Sequence, residues 1–180
     1  PILLEKLLIA LALQVGSEVS YNEVAQTIGT DNKTVEKYID LLEKCYVIFR
    51  LNAFNRNLRT ELKKSKKIYF YDNGIRNAVI QNFAPLSLRQ DTGALWENFF
   101  ISERIKANHY NGNYAKSFFW RTTQQQEIDY IEEADGNFTA FEMKWNPNKR
   151  PITFPSPFLN NYPVKETVVI TPENYLEWVM

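Results

Sequence analysis

The chain has 180 residues, enough for one good core or two small ones. Its hydrophobic content of 44% and aromatic content of 14% exclude a disordered polymer, and a formal net charge of zero means that any nucleic-acid surface must be local. The single cysteine, Cys45, excludes an internal disulfide framework, and the single histidine, His109, excludes a histidine-rich metal site. A bound metal would therefore need oxygen ligands, which suits Mg2+ or Mn2+. No apolar run approaches the roughly 18 residues of a membrane span, and no charged-then-apolar leader is visible, so the expectation is a cytoplasmic protein with no membrane partner. The start at Pro1, running at once into an apolar repeat, predicts a fragment of a longer chain.

Leu3, Leu4, Leu7, Leu8, Leu11 and Leu13 recur at helical spacing and predict a helix over residues 2–14, stopped by Gly16. Ser20 and Glu23 have capping-box spacing and open a short helix with Val24, Ala25 and Ile28, ended by Gly29. Thr30 or Asp31 caps a third helix, on which Val35, Tyr38, Ile39 and Leu42 share a face. Residues 46–51 and 67–71 are rich in β-branched and aromatic side chains and read as strands separated by a polar connection. Tightly joined helices followed by a two-stranded wing predict a winged-helix domain over residues 1–85, with Asp72 capping a short helix to about Ile80.

The second domain is expected over residues 86–180. Asp91 or Thr92 caps a helix to about Ala107, whose apolar residues Leu95, Trp96, Phe99, Phe100, Ile101 and Ile105 cover most of its circumference. Glu97 falls between Phe100 and Ile101, away from the more polar Asn98, Ser102 and Lys106, and a carboxylate there needs a partner. Strands are expected at 117–120, 127–131 and 138–144, the last two joined at Asp135-Gly136. The prolines at 151, 155, 157 and 163 predict a loop, followed by a strand at 167–170 and a short helix from Pro172.

Strand alternation places Glu127, Asp129 and Ile131 on one face, opposite Ile128 and Tyr130, and places Glu142 and Lys144 opposite Phe141, Met143 and Trp145. If the hairpin register joins the polar faces, Asp129 and Glu142 converge with Lys144 one pleat away. Two carboxylates can bind a divalent cation, and a lysine can stabilise developing phosphate charge or orient a water. The alternative is a solvated strand face with an ordinary cross-strand ion pair. Glu127 is expected at the surface. Arg121 suits either a phosphate or a carboxylate partner, His109 suits the negative end of its helix, and Cys45 is expected to be packed.

The order Glu97, Asp129, Glu142-x-Lys144 resembles the restriction-endonuclease-like (PD-(D/E)xK-type) nuclease superfamily. More closely, Lys67-Ile68-Tyr69-Phe70-Tyr71-Asp72-Asn73-Gly74, Gly93-Ala94-Leu95-Trp96-Glu97-Asn98, Phe119-Trp120-Arg121 and Glu127-Ile128-Asp129 resemble a C-terminal domain of unknown function on prokaryotic AAA-type ATPases. The resemblance covers most of the chain beyond about residue 16. It implies an α/β protein: a winged helix, then a restriction-endonuclease-like domain with a central mixed β-sheet flanked by helices. It also implies Glu97, Asp129 and Glu142 as metal ligands, Lys144 as the fourth catalytic residue, and an upstream ATPase domain as partner. No Gly-x-x-x-x-Gly-Lys-Ser/Thr occurs in these residues, so no nucleotide site is expected among them.

Candidate nucleic-acid contacts are the wing residues Arg56, Arg59, Lys63, Lys64 and Lys66, with Arg121; the wing alternatives are a solvated loop or a surface docking the ATPase domain. The third helix mixes Lys33, Lys37 and Lys44 with Glu36, Asp40 and Glu43, and is not expected to be a basic surface. Two functions stay open: a Mg2+-dependent nuclease-like module, and a non-enzymatic module for DNA or protein contacts.

Overall fold

The structure, a computed structural model, describes residues 2–55, 66–149 and 152–180. Arg56, Arg59, Lys63 and Lys64 therefore lie outside the described residues. The chain is mixed α/β and forms two compact units, one of Pro1–Leu51 with Ser65–Ser102 and one of Asn52–Lys64 with Glu103–Met180.

In the first unit, α1 (Ile2–Leu13) fully buries Leu7 and Leu11 and leaves Ile2 and Leu13 exposed. The short strand β1 (Glu18–Val19), which lacks a recognisable pattern of its own, is defined by its pairing with β3. Helix α2 (Tyr21–Ile28) starts where Ser20 accepts the Glu23 N–H and stops at Gly29, whose left-handed backbone lets its N–H return to the Ala25 carbonyl. Helix α3 (Asn32–Lys44) is capped by Asp31, which accepts the Thr34 N–H at 3.0 Å and its hydroxyl at 2.7 Å, and it buries Val35, Ile39 and Leu42. Strands β2 (Ile48–Ala53) and β3 (Lys66–Phe70) follow, β1 pairs antiparallel with β3, and the order in this unit is β1-β3-β2. Asp72 caps α4 (Asn73–Val79) by accepting the Ile75 N–H at 3.0 Å. Cys45 is exposed rather than packed, because the chain leaves α3 there and turns through Tyr46 at positive φ.

Helix α5 (Thr92–Tyr110) gives residues up to Ser102 to the first unit and the rest to the second. Its polar stripe is not a solvent face: Asn98 is fully buried and Ser102 nearly so. Asn98 accepts the Phe70 N–H at 2.8 Å and donates to the Phe70 carbonyl at 3.0 Å, so one side chain satisfies both backbone groups at the end of β3. Periodicity alone cannot tell such a side chain from a solvated one.

The second unit is a mixed sheet in the order β2-β4-β5-β6-β7, with β4 (Lys116–Arg121), β5 (Glu127–Ala134), β6 (Asn137–Met143) and β7 (Val164–Ile170). The end of β2 runs parallel to β4, β4–β5 and β5–β6 are antiparallel, and β6–β7 are parallel. A parallel pair needs a crossover, and the proline-rich stretch expected as loop supplies one by folding into α6 (Ser156–Asn161). Pro157 sits in its first turn, where a missing N–H costs nothing, and Phe158 is fully buried against Trp120 and Phe138. A short helix α7 (Leu176–Val179) ends the chain. No helix among the described residues is long and apolar enough to cross a membrane.

Candidate functional site

The site is built on the β5–β6 hairpin. Asp135 (φ 51°) and Gly136 (φ 77°) both take left-handed backbone, the geometry of a tight two-residue hairpin turn, and fix Ala134 opposite Asn137. The register continues to Tyr130 opposite Phe141. Beyond that pair, Asp129 and Glu142 are still close enough to interact. The Asp129 N–H donates to the Glu142 carboxylate and the Asp129 charge acts on it.

Strict alternation along β5 does not hold. Phe118 faces Ile131 while Trp120 faces Ile128, so the register between β4 and β5 shifts by one across this stretch. Ile128 and Ile131, expected on opposite faces, consequently pack into one apolar cluster with Phe118, Trp120, Phe138, Ala140 and Phe158. Asp129 lies inside the irregular segment, and such bulges re-aim a side chain.

Glu142 follows Phe138 and Ala140 at two-residue spacing and is 9% exposed. Burial and then the Asp129 charge push its carboxyl up from the ordinary 4.5 to about 7, while the Lys144 ammonium, 2.9 Å away, pulls it down. Two carboxylates and an ammonium are thus held together: a proton-holding acid, a second charge beside it and a cation. Chemically, the trio can share a proton near neutrality or offer oxygens to a hard cation.

Glu97 belongs to the first unit and is engaged there. Its Oε1 accepts the Tyr69 hydroxyl at 2.5 Å and lies 3.6 Å from the Lys67 ammonium, which is 2% exposed. Gly16 runs beside the same carboxylate, where an added Cβ would stand 3.4 Å from Oε1. Among the described residues, no group of three or more His, Cys, Asp or Glu side chains is arranged to hold a metal ion.

Of the candidate nucleic-acid contacts, Lys66 places its ammonium 5.1 Å from the Tyr21 ring centre. Arg121 places its Nε 3.7 Å from Glu127 and also bonds Gln125.

A second polar cluster in this unit was not anticipated. Arg104 clasps Glu132 with two bonds of 2.8 Å and donates to the Trp178 carbonyl at 2.7 Å. Glu132 also accepts from Asn108 at 2.6 Å and Tyr130 at 3.0 Å, and Tyr130 meets Ser117 at 2.8 Å. Burial pushes the Tyr130 hydroxyl well above its usual range. The available signal was the four-residue spacing of Arg104 and Asn108 on α5, matched to Tyr130 and Glu132 two apart on β5.

Comparison with known proteins divides the chain into two matches. Residues 1–86 match the family model of a domain of unknown function (DUF8612), and residues 92–178 that of another (DUF4143). An uncharacterized protein of Mycobacterium tuberculosis is 29% identical over 136 residues, covering 74% of this chain and 30% of its own length. An uncharacterized protein of Methanocaldococcus jannaschii is 29% identical over 106 residues, covering 55% of this chain and 22% of its own. An uncharacterized Bro-N domain-containing protein of Acanthamoeba polyphaga mimivirus is 28% identical over 116 residues, covering 63% of this chain and 56% of its own. The chain thus spans about 30% of the length of the mycobacterial relative. No solved structure matches it. By sequence, then, it is similar to two domain families of unknown function joined in one chain.

Proposed function

We propose that this chain is the C-terminal portion of a prokaryotic AAA-type ATPase, in which a winged helix precedes a restriction-endonuclease-like module that hydrolyses phosphodiesters. The observation that carries the nuclease reading is the convergence of Asp129 and Glu142, with Lys144 Nζ 2.9 Å from the Glu142 carboxylate. The helix–strand–helix–helix–strand–strand order of residues 2–70, with β1 beside β3, supports the winged-helix reading. Relatives much longer than this chain support a multidomain parent.

The donor set fits Mg2+ or Mn2+: both ligands are carboxylates, and Mg2+ is commonly held by one or two carboxylates while keeping several waters. Asp129 and Glu142 would hold the ion. When bound, it supplies charge stabilisation at a phosphoryl oxygen and a more acidic water. Glu142 must release its proton to serve as a ligand, and the Lys144 ammonium beside it favours that release. Lys144 is then placed to neutralise charge that develops on a phosphate. The proposed site uses residues of the second unit alone, and Glu97 keeps its local role with Lys67 and Tyr69.

A second reading is a catalytically inactive interaction module for DNA or protein. It is favoured by the closed Glu142–Lys144 pair and by the lack of a three-donor group among the described residues. Cleavage of single- and double-stranded DNA and RNA in Mn2+ separates the two. The nuclease reading expects turnover that falls at least 100-fold, on the order expected of an electrostatic catalytic group, in Lys144→Ala and in Glu142→Ala. Absence of turnover, or turnover in both variants unchanged from the wild type, favours the inactive module.

A further inference from the structure

The residues that follow the candidate site depart from the neutrality of the whole chain. Between Glu142 and Glu166 the sequence holds Lys144, Lys149, Arg150 and Lys165 and no acid, interleaved with Trp145, Phe154, Phe158 and Tyr162. Cations interleaved with aromatic rings are the composition of a surface that holds nucleic acid by both phosphate and base. Phe154, Phe158 and Tyr162 pack into the apolar cluster of the second unit, whereas Trp145 is 42% exposed. The other three tryptophans are buried or half-buried, as suits so large an apolar side chain. Strand β6 ends at Met143, and the Lys144 N–H still bonds the Ile170 carbonyl at 2.8 Å, so Trp145 is the first residue beyond the sheet. Asn146 accepts the Asn148 N–H at 3.2 Å and a 3-10 turn covers Pro147–Lys149, which gives the stretch carrying the indole a defined path. Lys144 reaches Glu142 at 2.9 Å with 38% of its own side chain exposed.

Building on the reading of Asp129, Glu142 and Lys144 as a phosphodiester site, we propose that the site takes single-stranded nucleic acid, with a phosphate on Lys144 and the adjoining base stacked on the Trp145 indole. Consecutive residues are about 3.8 Å apart at Cα, so a phosphate held by Lys144 brings the adjoining base within reach of Trp145. Stacking needs an open base face, which an unpaired strand offers and a duplex interior does not. Every base has such a face, so the contact tolerates any sequence. Single strands of DNA and RNA share the phosphate and the π-face and differ at the 2′-hydroxyl.

The experiment is fluorescence anisotropy of the full chain in EDTA with three labelled probes: a 20-nucleotide oligodeoxyuridine, an oligouridine of the same length and a 20-base-pair DNA duplex. Wild type should bind at least one single strand about fivefold or more tighter than the duplex, the lower end for one base–aromatic stack, and the tighter strand shows which sugar the site takes. Trp145→Ala should lose about 5- to 150-fold on that strand and stay within about twofold on the duplex. Trp145→Phe keeps a ring and should lose less than Trp145→Ala at the same melting temperature, which separates stacking from folding. Lys144→Ala should weaken binding of the same strand and lower its salt slope by about 0.7. Duplex affinity equal to or above that of both single strands, no binding of any probe, or single-strand affinity unchanged in Trp145→Ala or in Lys144→Ala overturns the proposal. Anisotropy involves no cleavage. Binding that depends on Trp145 without turnover fails the nuclease reading alone, and turnover with binding indifferent to Trp145 fails the stacking proposal alone.

Discussion

Glu142 carries opposing influences: burial and Asp129 raise its carboxyl pKa to about 7, and Lys144 at 2.9 Å restrains the rise. The folded value lies above the unfolded one, so between about pH 4.5 and 7 the native state keeps a proton that the unfolded chain has lost. Stability from this group is fully present below about 4.5 and is lost as pH rises through about 7, a change of up to about 3 kcal/mol at 1.36 kcal/mol per unit. Urea unfolding at pH 5, 6 and 7 should show this decline in the wild type and a markedly flatter profile in Glu142→Gln. An identical slope in both would remove Glu142 as the cause. Asp91 has the opposite sign: Arg89, then burial working against it and Arg76 assisting, leave its carboxyl well below the usual range, so its contribution is lost as pH falls.

Two elements are anchored by buried polar side chains whose removal has a definite cost. Asn98→Leu leaves the Phe70 N–H and carbonyl without their side-chain partner, at about 1–3 kcal/mol for each group, so chemical denaturation should show a loss of about 3 kcal/mol. Arg104→Met strands the buried Glu132 charge and should cost about 3–5 kcal/mol, while the double change Arg104→Met/Glu132→Met should recover most of it. A double variant as unstable as the single one would show that packing, not stranded charge, governs the site. These anchors also mark where sequence patterns stop being informative. The caps at Ser20, Asp31 and Asp72 and the Asp135-Gly136 turn were legible because each depends on residues a few positions apart. The burial of Asn98 depends on a strand 28 residues earlier, and α6 depends on the packing of Phe158 against Trp120 and Phe138, both distant in sequence. The hairpin that brings Asp129 near Glu142 was readable from Asp135-Gly136, but the shifted pairing with β4 was not, because a bulge leaves no local composition signal.

At the scale of the whole molecule, matches to two domain families of unknown function cover residues 1–86 and 92–178. Arg50 binds Asp40 and Glu43 within the first unit, and the carboxylate pair is assembled by the hairpin within the second. The pairing of Asp129 with Glu142 as a cation site is tested most directly by isothermal titration calorimetry with Mn2+ at pH 7.5. Saturable binding of about one ion per chain, weakened at least tenfold in Asp129→Asn and in Glu142→Gln, is the expected result. Absence of binding heat in the wild type, or an affinity unchanged in either variant, would contradict it.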